Sequence, residues 1–152
     1  MTVDPAVQVF LDQVASMGGP PTHELPLEQA RQQYEMFGAL NGPIPDGVTV
    51  TDDKADGPAG PVPVRVYTSA AADLEAGGLR PVIVYLHGGG FTIGSPHSHD
   101  VVCRQLADGI GAIVVSADYR LAPEHPYPAA LDDAYAATVW AGEEAGRLGA
   151  DP

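Results

Sequence analysis

Basic side chains are scarce: seven Lys and Arg stand against twenty Asp and Glu in 152 residues, a formal net charge of −13. A surface of that sign repels phosphate backbones and anionic bilayers, so nucleic acid is not an expected partner. The single cysteine, Cys103, cannot form an internal disulfide, and nothing points to an oxidising compartment. No segment approaches the roughly 18 apolar residues of a membrane-spanning helix. The N-terminal MTVDPAVQVF also lacks the basic-then-apolar order of a secretory leader. The expectation is a cytoplasmic chain with no membrane span. Abundant instead are Gly (18) and Pro (15) beside 45% hydrophobic residues, the composition of a globular domain with many turns.

Asp4-Pro5 is an N-cap with proline at the first helical position, and Val7, Phe10, Leu11 and Val14 recur at helical spacing, which predicts a short amphipathic helix. It ends at GGPP, residues 18–21. A second helix from Pro26 sets Leu27, Ala30, Tyr34 and Phe37 on one stripe. From Val48 the period changes to two strands around a Gly/Pro-rich turn, with Val62, Val64 and Val66 alternating against Pro63, Arg65 and Tyr67. A turn-rich linker, AADLEAGGLRP, leads into Val82 to Leu86, apolar at every position and so expected to be buried on both faces, as in a parallel sheet. A helix over 100–107, a second fully apolar strand over 112–117 and a long helix over 129–144 follow. Helices, a hairpin and then strand–helix–strand–helix predict an α/β domain with a helical N-terminal piece.

HGGGF at 87–91 ends the first apolar strand, and three consecutive glycines there need a reason, because each adds backbone entropy that folding must overcome. A phosphate cradle of the GxxxxGK[ST] kind meets Gly89 and Gly94 but finds Ser95 where lysine is needed. A dinucleotide GxGxxG uses Gly88 and Gly90 but meets Ile93. Two readings stay open on the residues alone. One is a tight strand exit; the other is an oxyanion hole, whose backbone N–H groups face the negative oxygen of an acyl-transfer intermediate.

HGGGF together with SADYRLAPEHPYPAALDDAYAA at 116–137 resembles the hormone-sensitive-lipase-like family of α/β-hydrolases, the bacterial carboxylesterases and lipases. The resemblance implies residues 1–45 as cap helices and residues 46–152 as the N-terminal part of the hydrolase core, with strands 1 to 4 of a mostly parallel sheet. It implies that the N–H groups of Gly88 and Gly89 bind the oxyanion, that His87 and Gly90 shape the loop, and that no cofactor or metal is needed. The family's serine lies in a G-D-S-A-G-G elbow, followed by an Asp or Glu and a His. None of the five serines here (Ser16, Ser69, Ser95, Ser98, Ser116) fits G-x-S-x-G. RLGADP at 147–152 resembles the lead-in to the elbow strand. The expectation is therefore an esterase segment truncated before its catalytic triad, inert alone. Its partners would be a small ester in the complete enzyme, a C-terminal half, or further copies of itself. A non-catalytic ligand-binding protein and one half of a split esterase are the alternatives.

Other candidates read as structural. His97 and His99 lie two apart, as one metal ion could use, but HxHxD spacing needs Asp where Val101 stands, so a turn with Asp100 at a helix N-terminus is expected. Cys103, with Val102 and Leu106 at helical spacing, is expected to be buried and unreactive. His125 reads as a loop residue. Asp132 and Asp133 diverge around a helix and do not form a carboxylate pair. LAPEHPYP at 121–128 is expected to pack beneath the active-site loops, with Tyr119 bonded inside that segment and Arg120 paired to Glu124 or Asp133.

Overall fold

A computed structural model describes residues 3–70 and 80–151, so most of the 71–81 linker lies outside the described residues. Helix α1 spans Pro5–Ser16, and the Asp4 carboxylate accepts the Ala6 N–H at 2.8 Å, which satisfies one of the amides a helix start leaves free. Its apolar stripe is present but uncovered among the described residues: Val7, Phe10 and Leu11 are all exposed. Helix α2 spans Leu27–Phe37 and buries Ala30.

Strands β1 (Val48–Gly57) and β2 (Gly60–Ser69) form an antiparallel hairpin from Val48↔Ser69 to Gly57↔Gly60. Then come β3 (Arg80–Leu86), α3 (Asp100–Ile110), β4 (Ile113–Ala117), α4 (Ala129–Glu143), α5 (Ala145–Leu148) and the two-residue β5 (Ala150–Asp151). The sheet order is β1-β2-β4-β3-β5; β2 meets β4 antiparallel, while β3 runs parallel to both β4 and β5.

Each face of the sheet has its own helical cover, because strand side chains alternate between faces. Val64, Val66, Ile113 and Val115 pack with Ala137 and Ala141 of α4, and Tyr67 and Val114 pack on the other face with Cys103 and Ala107 of α3. Tyr67 therefore departs from the expected polar alternation: it is fully buried, and its hydroxyl donates to Asp100 Oδ1 at 3.1 Å. The two apolar strands also differ from each other. All five β4 residues are buried, each large aliphatic one contributing about 1.5–3 kcal/mol, whereas β3 is half-buried and Leu86 is 47% exposed. The expectation of burial on both faces fails for β3 for a positional reason. β4 is flanked by strands on both sides, while β5 pairs only with Arg80 and Pro81.

Candidate active site

The glycine loop leaves the C-terminal end of β3, and its first two peptide planes are pinned from their carbonyl sides. The Tyr119 hydroxyl donates to the His87 carbonyl, and the Tyr119 ring stacks on the His87 imidazole with centroids 4.2 Å apart and planes 9° apart. The His87 Nδ1 lies 2.9 Å from the Gly88 carbonyl. A carbonyl only accepts, so this bond requires the proton on Nδ1 and leaves Nε2 bare; that nitrogen is buried without a partner. Burial holds the His87 pKa below its ordinary value, which keeps the ring neutral. In a trans peptide the C=O and the following N–H point to opposite sides. Holding the His87 and Gly88 carbonyls therefore aims the amides of Gly88 and Gly89 away from those bonds. Neither amide has a hydrogen-bond acceptor among the described residues.

Two positions in the loop admit no side chain. A Cβ on Gly89, at φ 127°, would lie 1.9 Å from the Ile93 carbonyl oxygen. On Gly94 it would lie 2.4 Å from the Gly88 carbonyl and 2.8 Å from His87 Nδ1, where it would break the bond that sets the second peptide plane. The Gly89 carbonyl accepts the N–H groups of both Thr92 and Ile93 at 3.1 Å, and Gly90 contributes a carbonyl to the Thr92 hydroxyl at 3.1 Å. Phe91 occupies the left-handed region at φ 60°, unusual for a residue with a side chain. Its carbonyl accepts the Ala122 amide at 2.8 Å, which ties the loop to LAPEHPYP.

That proline-rich segment is held in turn by α4. Asp133 is 2% exposed and accepts the Arg120 amide at 3.0 Å and its Nε and Nη2 at 2.7 Å. Burial, the largest single influence, pushes the Asp133 carboxyl up, but the Arg120 bonds together outweigh it and hold the group below the usual carboxylate range. Of the two expected partners for Arg120, Asp133 is the one found; Glu124 pairs with Arg31 of α2 at 2.7 Å, which lowers its pKa to about 2. Tyr119 also differs from expectation, since its hydroxyl reaches back to His87 and not into its own segment. Beside the loop lies an apolar cavity of about 670 Å³ lined by Leu86, His87, Phe91, Tyr119, Tyr127 and Leu131 among others.

Near the loop, one hydroxyl–imidazole contact invites a nucleophilic reading: Ser98 Oγ lies 3.1 Å from His99 Nδ1. The Ser98 hydroxyl already donates to the Ser95 carbonyl and accepts the Ser95 amide, both at 2.9 Å, so its proton is committed to a turn. Ser95 Oγ donates to Glu35 at 2.7 Å, and Ser116 is fully buried. His97 to Asp100 form the expected turn into α3, and no group of three potential metal ligands occurs among the described residues. Cys103 is fully buried, and burial pushes its thiol up to about 12. The roles of Arg31 and Tyr119 were hidden because their partners lie 61 and 32 positions away. A signal for Arg31 did exist, since a guanidinium is conspicuous in so acidic a chain.

Residues 83–152 match a family described as having the alpha/beta hydrolase fold. Esterase LipI of Mycobacterium tuberculosis is 51% identical over 109 residues, 72% of this chain and 33% of LipI. Carboxylic ester hydrolase LipN of the same organism is 40% identical over 146 residues, 95% of this chain and 37% of LipN. Among solved structures, a hyperthermophilic esterase from the archaeon Pyrobaculum calidifontis superposes with a TM-score of 0.81 at 38% identity, over 99% of this chain and 47% of that one. The chain thus spans about a third of these curated relatives and just under half of the solved esterase. No helix among the described residues is long and apolar enough to cross a membrane. With HGGGF and DYRLAPE following the adjacent parallel strands β3 and β4 of an α/β-hydrolase sheet, the chain belongs to the hormone-sensitive-lipase-like family of α/β-hydrolases, of whose fold it carries a part.

Proposed function

We propose that this chain supplies the oxyanion loop of a serine carboxylesterase, with the N–H groups of Gly88 and Gly89 as donors and His87 and Gly90 as the residues that shape the loop. The observation that carries this reading is the pair of pinned carbonyls, each of which leaves the opposite amide without an acceptor. In the reaction, a serine oxygen bonds to the ester carbonyl carbon and the C=O π pair moves onto oxygen. That new charge is what the two amides stabilise. Such a donor strengthens its bond as charge develops, and losing one costs about 10²- to 10³-fold in kcat. The serine, with its acid and histidine partners, is assigned to residues outside 1–152, because no serine here sits in a G-x-S-x-G turn.

The test is direct. A preparation of residues 1–152 alone is expected to hydrolyse short p-nitrophenyl esters no faster than buffer, since donors without a nucleophile leave only residual catalysis. Turnover abolished by a serine-directed organophosphate would overturn the assignment. The apolar cavity beside the loop favours a second reading, a ligand pocket without catalysis. The reading predicts that the full-length protein binds an apolar ester and releases it intact.

The same preparation is expected to self-associate. β3 has no strand partner on its outer edge beyond Pro81 among the described residues, and VIVYL at 82–86 carries no charge, proline or glycine to deter pairing. The net charge of −13 opposes association, but about 0.15 M salt screens charges beyond about 8 Å while strand pairing acts at contact. Sedimentation across a salt series should show mass rising with ionic strength; a monomer throughout would mean that the edge is covered.

A further inference from the structure

We propose that helix α2 sets the shape of the glycine loop, and that Arg31 is the positioning residue through which it does so. Arg31 joins three pieces of chain that are remote in sequence. Its Nε donates to the Thr92 carbonyl at 3.0 Å, its Nη2 to the Ala122 carbonyl at 3.1 Å, and its two terminal nitrogens to the Glu124 carboxylate at 2.8 and 2.7 Å. The planar guanidinium suits this, because its donors diverge in a fixed fork that one ammonium cannot reproduce.

The path from Arg31 to the amides is short. The peptide between Thr92 and Ile93 receives Arg31 on its carbonyl side and donates its N–H to the Gly89 carbonyl at 3.1 Å. Arg31 therefore holds the peptide that holds Gly89. Two further side chains on the same helix face, three and four positions on, address the same loop. Tyr34 places its hydroxyl 3.7 Å from where a Cβ on Gly88 would stand, and Glu35 accepts the Ser95 hydroxyl at 2.7 Å. Apart from Arg31, LAPEHPYP meets the loop through the bond from the Ala122 amide to Phe91. Phe91 sits in a backbone region that persists only where its surroundings enforce it. Arg31 does not itself contact the two amides; it acts through Thr92.

The inference rests on the proposed oxyanion role, and its test separates the two. In the full-length protein, Arg31→Ala is expected to lower kcat about ten- to a hundredfold with KM little changed, as misplacement of a group acting in the transition state does. Glu124→Gln removes the ion pair but spares the Thr92 and Ala122 bonds, and is expected to keep most of kcat. Arg31→Lys should recover part of the loss. Hydrogen exchange over residues 88–94 gives a readout independent of activity: it should accelerate in Arg31→Ala and not in Glu124→Gln. Equal losses of melting temperature in both variants, with unchanged kcat per folded molecule and unchanged exchange, would reduce Arg31 to a surface anchor and overturn the proposal. If Arg31→Ala does not fold, Arg31→Lys decides, because wild-type kcat and exchange there would also overturn it. A wild-type protein that hydrolyses no ester would sink the oxyanion reading, while exchange would still decide whether Arg31 holds the loop.

Discussion

Gly89→Ala in the full-length protein is expected to lower kcat by about 10²- to 10³-fold, while the sheet beneath keeps its secondary structure. The obstruction lies inside the loop: the new methyl would fall 1.9 Å from the Ile93 carbonyl oxygen, and φ 127° is closed to alanine. Relief requires the 89–93 turn to open, and opening it swings the Gly89 amide away from its aim. Gly88→Ala is the informative contrast. A Cβ there meets only ordinary contacts at 3.7 and 3.9 Å, to Tyr34 and His99, so the amide should keep its direction and kcat should fall far less. Circular dichroism and ester kinetics on the same samples check both parts. Wild-type kcat in folded Gly89→Ala would remove this residue from the oxyanion site.

Asp133→Asn is expected to lower the thermal midpoint by roughly 5–15 °C. The carboxylate is 2% exposed and accepts three bonds from Arg120. An amide at that position would turn a donor toward a guanidinium that has only donors, and would leave a half-buried positive charge without its partner. The neighbouring Asp132→Asn serves as control and should melt within about 2 °C of wild type, because its side chain makes no hydrogen bond among the described residues. Asp133→Asn should also impair ester hydrolysis, since the segment that Arg120 anchors carries Tyr119, and Tyr119 holds the first peptide of the glycine loop. Equal melting of the two variants would show that the buried pair contributes nothing.

Much of this organisation is legible in the sequence because it is local. The cap at Asp4, the hairpin alternation and the helix over 129–143 follow from neighbours a few positions apart. The runs at 82–86 and 113–117 read alike, yet β4 is sealed and β3 half-open, because an apolar run describes a strand's own side chains and not what lies beside it. At the site, HGGGF marks the loop, whereas what aims it comes from Arg31, Gly94 and Tyr119. Gly94 offered only its glycine identity, which a failed phosphate motif had already absorbed. Scarcity of cations was the unused clue. Among the described residues, five of the six arginines make ion pairs, four of them with a carboxylate more than four positions away, so those four cross-link separate segments.

The sheet order has a consequence for how the chain assembles as it leaves the ribosome. The β1–β2 hairpin can close as soon as residue 69 is free, but among the described residues no strand ladder joins it to β3, the next strand made, and the Arg80 guanidinium reaches only the Ser69 carbonyl at its end, at 2.8 Å. The strand that joins them is β4, made later and inserted between β2 and β3. Until residue 117 emerges, hairpin and β3 are not joined into one sheet, and their apolar edges stay open. The continuous sheet then forms in one late, long-range step, the kind of step that makes a nascent chain dependent on chaperones. A pause in translation shortly before β4 would prolong that exposure; one shortly after it would not.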